Sequence, residues 1–165
     1  MFDLKSISHE AIPRALEKAE RYRLLNEPQV AESICRDVLR VDADNQAAIV
    51  TLILALTDQF GGTISIHMKA TQELIPRLRE EYERVYYTGI MFERQGKARL
   101  QQGTPGSGFD AHELLREAMS WFEKAEAIHP PGNDDAILRW NTCARMIMND
   151  NLQPRQQDDF QPYLE

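Results

Sequence analysis

At 165 residues, 42% of them hydrophobic and 27% charged, the chain has the balance of one globular domain with a core, not of a disordered segment. Its net charge of −7 argues against nucleic acid as a partner, because phosphate backbones require a clustered basic face, and favours basic or mixed-charge partners. No apolar run reaches the ~18 residues of a membrane span, and the first residues lack the basic-then-apolar pattern of a secretory signal, so the expectation is a cytoplasmic protein with no membrane partner. Cys35 and Cys143 lie among apolar neighbours, which reads as two buried reduced thiols, with a disulfide as the alternative.

Strand signals are nearly absent, and helical periodicity fills the stretches between breakers. The first helix is predicted from about Ser8 to Leu25, with Ser8 as its cap, Pro13 in its first turn, and Ala11, Ala15, Leu16, Ala19 and Tyr22 on one stripe. After Asn26-Glu27-Pro28 a second helix runs to about Val41 and carries Val30, Ala31, Ile34, Cys35, Val38 and Leu39. Asp42–Asn45 is a polar turn, without the glycine and closing glutamate of a calcium loop. The third helix, Gln46–Phe60, is apolar on most sides, as expected of a helix sandwiched between neighbours.

Gly61-Gly62 breaks the chain before a fourth helix, about Thr63–Ile75, stopped by Pro76. The fifth, about Arg77–Gln102, is long and charged, with a stripe at Leu78, Tyr82, Val85, Tyr86, Gly89 and Phe92. Gln101–Gly108 reads as a flexible insertion, after which Asp110 is predicted to cap the sixth helix with Glu113 completing a capping box. Beyond Pro130-Pro131-Gly132 a seventh helix starts at Asn133, its Asp134 and Asp135 complementing the positive end of the helix dipole. The tail from Asp150 to Glu165 is predicted to be irregular. Its Phe160, Pro162, Tyr163 and Leu164 either dock on this domain or a second copy, giving self-association, or hang loose. If they dock, Asp158, Asp159 and Glu165 should face arginines of the fifth or seventh helix.

A grid of small and bulky positions recurs along these helices. In the best unit Val85, Thr88, Gly89 and Phe92 are followed by Ala118, Phe122, Ala125 and Pro130. The first unit has Ala15, Lys18, Ala19 and Tyr22, then Ala31, Cys35, Val38 and Ala43. One period of about 34 residues later come Ile49, Leu52, Ile53 and Leu56, then Ile64, Met68, Thr71 and Pro76. This grid resembles the tetratricopeptide repeat family. It departs from the pattern at Lys18 and Ala43, in the missing glycine of the second unit, and in about 17 extra residues between Phe92 and Ala118. The resemblance implies an all-α, right-handed superhelix of three antiparallel pairs plus a cap, with units at about 12–45, 46–79 and 82–132, the cap at 133–149 and the tail at 150–165. An unrelated helical bundle with small residues at these spacings is the alternative.

The resemblance further implies a non-enzymatic adaptor or scaffold, without cofactor, that binds a protein or peptide along its concave face. The groove candidates are Glu17, Glu20, Val50, Thr51, Leu54, Tyr86, Tyr87, Ile90 and Arg94, with Arg139 and Asn141 flanking the apolar face of the last helix. The family's clamp for a terminal carboxylate does not carry over, since Leu16, Glu20, Thr51, Glu83 and Tyr87 stand where it needs Lys and Asn. A small acidic chaperone of the secretion type is a second reading. A nucleotide-binding enzyme is the remote one, with Gly103, Gly106 and Gly108 beside Arg94, Lys97, Arg99 and His112. That loop runs into Phe109-Asp110 where a phosphate-binding loop needs Lys and Ser or Thr. The four histidines are scattered without metal-ligand spacing, and no metal site is predicted.

Overall fold

The computed structural model describes residues 1–61 and 64–156, without the side chains of 64 and 65. All regular structure among the described residues is helical: α1 (Ile12–Leu24), α2 (Pro28–Val41), α3 (Gln46–Thr57), α4 (Ile64–Leu74), α5 (Glu81–Gln102), α6 (Ser107–Ala127) and α7 (Asp135–Asn149). Ser8 does not cap α1 with its side chain. A 3-10 turn, His9–Ala11, intervenes and Pro13 opens the helix proper, where its missing N–H costs nothing. Asn26 at φ 62° ends that helix, and Pro28 starts α2. The Asp42–Asn45 turn exists to cap α3: the Asn45 carboxamide accepts from Ala48 N at 2.9 Å and donates to Asp42 at 3.1 Å.

Helix α3 is buried on almost every side, from Ala48 and Ile49 through Leu52, Ile53, Ala55 and Leu56 to Thr57. It ends at Thr57, three residues short of the expected Phe60, which is buried in the turn that follows. Helix α5 begins at Glu81, not Arg77, because Ile75–Arg77 form a 3-10 turn and Leu78 is extended. Leu78 still reaches the core, but from the linker.

Half of the Gln101–Gly108 segment is helical, with Gly103–Gly106 between α5 and α6, and Gly103 and Gly106 take positive φ values of 62° and 81°. Helix α6 therefore starts three residues before Asp110, which caps nothing and spends its carboxylate on Arg99 and Arg155. Asn133 does support the start of α7, by accepting from Asp135 N at 3.0 Å. Of the tail, Leu152 packs on the second core and Arg155 pairs with Asp110 at 2.6 Å. So here the tail brings a base to an acid of α6. Asp158, Asp159, Phe160, Pro162, Tyr163, Leu164 and Glu165 lie outside the described residues.

Each helix packs on its neighbour in sequence, most extensively α5 on α6, while α3 also touches α1 and α5. Two large cores result. The first gathers Ala19, Ala31 and Cys35 around Ile49, Leu52, Ile53 and Leu56; the second gathers Ile90, Leu115, Ala118, Phe122, Ala125, Ala136 and Cys143. The glycine of the sequence grid is a close approach: a Cβ on Gly89 would stand 2.6 Å from the Phe122 ring. Outside the grid, a Cβ on Gly96 would stand 3.1 Å from Leu115.

Candidate functional site

A chain of polar contacts joins the odd-numbered helices. At the C-terminal end of α3, Thr57 turns its hydroxyl to Ile53 O at 2.9 Å, the usual way a threonine satisfies itself inside a helix. Its oxygen also accepts from Arg94 of α5 at 2.8 Å, and the same Arg94 nitrogen, Nη1, donates to Leu54 O at 2.9 Å and Asp58 at 2.7 Å. The other Asp58 oxygen accepts from Arg23 Nε of α1 at 2.8 Å. One turn of backbone thus fastens α1, α3 and α5 together.

The next link runs from α5 to α7. Glu93 is 1% exposed, and its carboxylate accepts from Arg139 at 3.3 Å and from the Cys143 thiol at 3.6 Å. A buried carboxylate without such partners would be strongly destabilising.

The electrostatics follow from this crowding. Burial holds Arg94 below its ordinary pKa; Asp58 and Glu93 oppose that shift, while Arg23 and Arg139 add to it by repulsion. Burial also disfavours the Arg139 charge, yet Glu93 and the Tyr86 hydroxyl outweigh it and hold that guanidinium more basic than usual. Burial and the neighbouring Glu93 push the Cys143 thiol up. Burial pushes Cys35 up to about 12. Both thiols are free and buried, so the disulfide alternative fails, and neither has the low pKa of a nucleophile.

Between these groups lies a cavity of about 200 Å³ lined by Thr57, Asp58, Phe60, Arg94, Lys97 and Arg139, with Ala98 and Gln101 beside them. Next to it on α5 the tyrosines form a stack. Tyr82 and Tyr86 are parallel at 5.7 Å, Tyr87 meets Tyr86 edge-on at 5.1 Å, and Tyr86 leans on Phe122 at 5.8 Å. Burial raises Tyr87 to about 12, so its hydroxyl stays protonated.

Of the groove candidates, Val50, Thr51, Leu54, Tyr86, Tyr87, Arg94, Arg139 and Asn141 are half-buried, while Glu17 and Glu20 are exposed on α1. Ile90 is a correction: it is fully buried in the second core and offers no surface to a partner. Sequence reading missed Arg23, Asp58 and Glu93. A signal existed for Glu93, which sits four residues after Gly89 on the buried face of α5. Asp58 gave none, because its partners come from α1 and α5.

The residues of the nucleotide reading are not gathered. Arg94 and Lys97 line the cavity above, Arg99 lines another with Asp110 and Glu113, and Gly106 and Gly108 line a third with Leu152. Among the described residues no group of His, Cys, Asp and Glu could hold a metal ion. No helix among them is long and apolar enough to cross a membrane. No protein-family model, no curated protein and no solved structure matches the chain.

Proposed function

We propose that this chain is a protein-interaction module of the tetratricopeptide-repeat type, which holds a partner segment along the face where α1, α3, α5 and α7 are tied together. The observation that carries the reading is a polar ladder in two parts, Arg23–Asp58–Arg94 and Glu93–Arg139, whose members Glu93 and Arg94 are consecutive on α5. It rigidifies alternate helices, as a preformed binding face requires, and leaves half-buried Thr51, Leu54 and Tyr87 beside it. Tyrosines of this kind combine large apolar area with a polar tip, a composition enriched at interfaces. The packing of Gly89 under Phe122 supports the repeat assignment, since the grid places a glycine and a bulky ring at those positions.

A photo-crosslinking residue placed singly at Thr51 or Tyr87 in the native cell tests the reading. The expected outcome is one defined adduct from both positions and none from Ser33 or Ser120, exposed on α2 and α6. Equal capture from all four positions, or from the even helices alone, removes the assignment of the face.

A further inference from the structure

We propose that the cavity between the end of α3, α5 and α7 is a carboxylate-binding subsite, which takes a single aspartate or glutamate side chain from a partner segment that is otherwise neutral or basic. The proposal deepens the reading of the odd-numbered helices as a partner-binding face and rests on it.

Charge is the first argument. Arg94, Lys97 and Arg139 line the cavity and Arg23 stands beside it, while only Asp58 and Glu93 oppose these four cations. A cationic surplus is thus concentrated in a chain whose net charge is −7. Asp58 and Glu93 relieve part of the repulsion among Arg23, Arg94 and Arg139, and an entering anion relieves more of it.

Free donor capacity is the second. Arg94 makes all its protein hydrogen bonds through Nη1, leaving Nη2 and Nε without a partner among the described residues. Arg139 turns Nη1 to Glu93 and also meets the Tyr86 hydroxyl, and Lys97 has no ion pair among the described residues. The guanidinium groups are held by Asp58 and Glu93 before any ligand arrives, so little side-chain entropy is lost when one binds.

The geometry selects the anion. The cavity opens at the C-terminal end of α3, where the helix dipole is negative, and no helix N-terminus lines it. A phosphate dianion is therefore disfavoured relative to a carboxylate. The volume of about 200 Å³ accommodates one acidic side chain. The overall charge of −7 repels a polyacidic segment, which leaves an isolated acid flanked by neutral or basic residues as the matching chemistry.

The test is an NMR titration of the full chain, following arginine Nε–H signals, with an acetylated Lys-Ser-Glu-Ser-Lys amide. The glutamine peptide and the phosphoserine peptide are run in parallel. The glutamate peptide is expected to move the Arg94 and Arg139 signals and to bind at least tenfold more tightly than the glutamine peptide. Lys97→Met, at an exposed position that leaves the ladder intact, should reduce that affinity about tenfold. Equal response to glutamate and glutamine, tighter binding of phosphoserine, or full affinity in Lys97→Met each overturns the proposal. If glutamate has no effect while cross-links from Thr51 and Tyr87 persist, the subsite falls and the binding face stands. If those cross-links are also absent, the wider reading falls with it.

Discussion

Gly89 shows how one residue fixes the pairing of two helices. It lies in the middle of α5, where glycine costs about 1 kcal/mol of helix propensity relative to alanine. The cost is accepted because a Cβ there would sit 2.6 Å from Cε1 and 2.8 Å from Cδ1 of Phe122, a ring that is itself fully buried. A buried aromatic ring has no free space to retreat into, so the clash outweighs the propensity gain; overpacking of this kind costs about 1–3 kcal/mol. Gly89→Ala is therefore expected to destabilise the protein by up to about 2 kcal/mol net, read as a lower urea midpoint. Gly96→Ala is the control. Its nearest neighbours are the Leu115 side chain at 3.1 and 3.2 Å and the Leu114 Cβ at 3.3 Å. A few tenths of an ångström of adjustment suffice there, so the change should stay within about 0.5 kcal/mol of neutral. Loss of stability equal to that of Gly89→Ala would show that the Phe122 contact is not the special one.

Whole helices were readable in the sequence wherever apolar periodicity and a local breaker coincided, as between α1 and α2 at Asn26-Glu27-Pro28 and after α5 at Gly103. Boundaries failed where a residue's partner lies far along the chain. Asp110 has the chemistry of a cap, but Arg99 on α5 and Arg155 in the tail claim its oxygens. The candidate site failed in the same way. Arg94 and Arg139 were visible as cations on binding helices, whereas Asp58 acquires its role only when α1 and α5 arrive, at Arg23 and Arg94. Ile90 was misplaced because periodicity gives a face but not which neighbour covers it.

Two carboxylates on different helices make opposite predictions about acid. Burial pushes Glu32 of α2 up, but hydrogen bonds from Gln59 at 2.9 Å and from Arg36 at 2.8 and 3.0 Å outweigh it and leave its pKa below the ordinary 4.5. Its contribution is present above pH 4.5 and is lost as pH falls through the lower folded value. Burial and the nearby Glu80 hold Glu83 of α5 above 4.5, so its ionisation opposes folding and that penalty disappears in acid. Glu32→Gln should therefore lower the melting temperature at pH 7 and have little effect well below pH 4. Glu83→Gln should raise it at pH 7, with the gain vanishing towards pH 4. Thermal melts of both variants across this range check the signs, and a shift of the same sign for both refutes the assignment.

On the scale of the whole molecule, packing between sequence neighbours means that a perturbation is felt locally. Such a chain should loosen from the end that is disturbed, and the segment after α7 is the place to test this. Leu152 is 8% exposed in the second core, its amide donates to Ile147 O at 3.0 Å, and its side chain lies 3.8 Å from where a Cβ on Gly108 would be. Three residues on, Arg155 pairs with Asp110 at 2.6 Å and reaches Glu113 at 3.6 Å, but these groups are half in solvent, where an ion pair is worth about 0–1 kcal/mol. The apolar anchor should dominate. Leu152→Ala is expected to cost about 2–3 kcal/mol, at the lower end for a buried leucine because the site lies near the surface. Arg155→Ala should cost less than about 1 kcal/mol. Hydrogen exchange supplies the spatial half of the prediction. In Leu152→Ala, protection should fall in α6 and α7 while amides of α1 and α2, which belong to the first core, lose it only by global unfolding. A uniform loss along the chain would mean that the two cores unfold as one unit, and the end segment would then be a clamp on the entire fold.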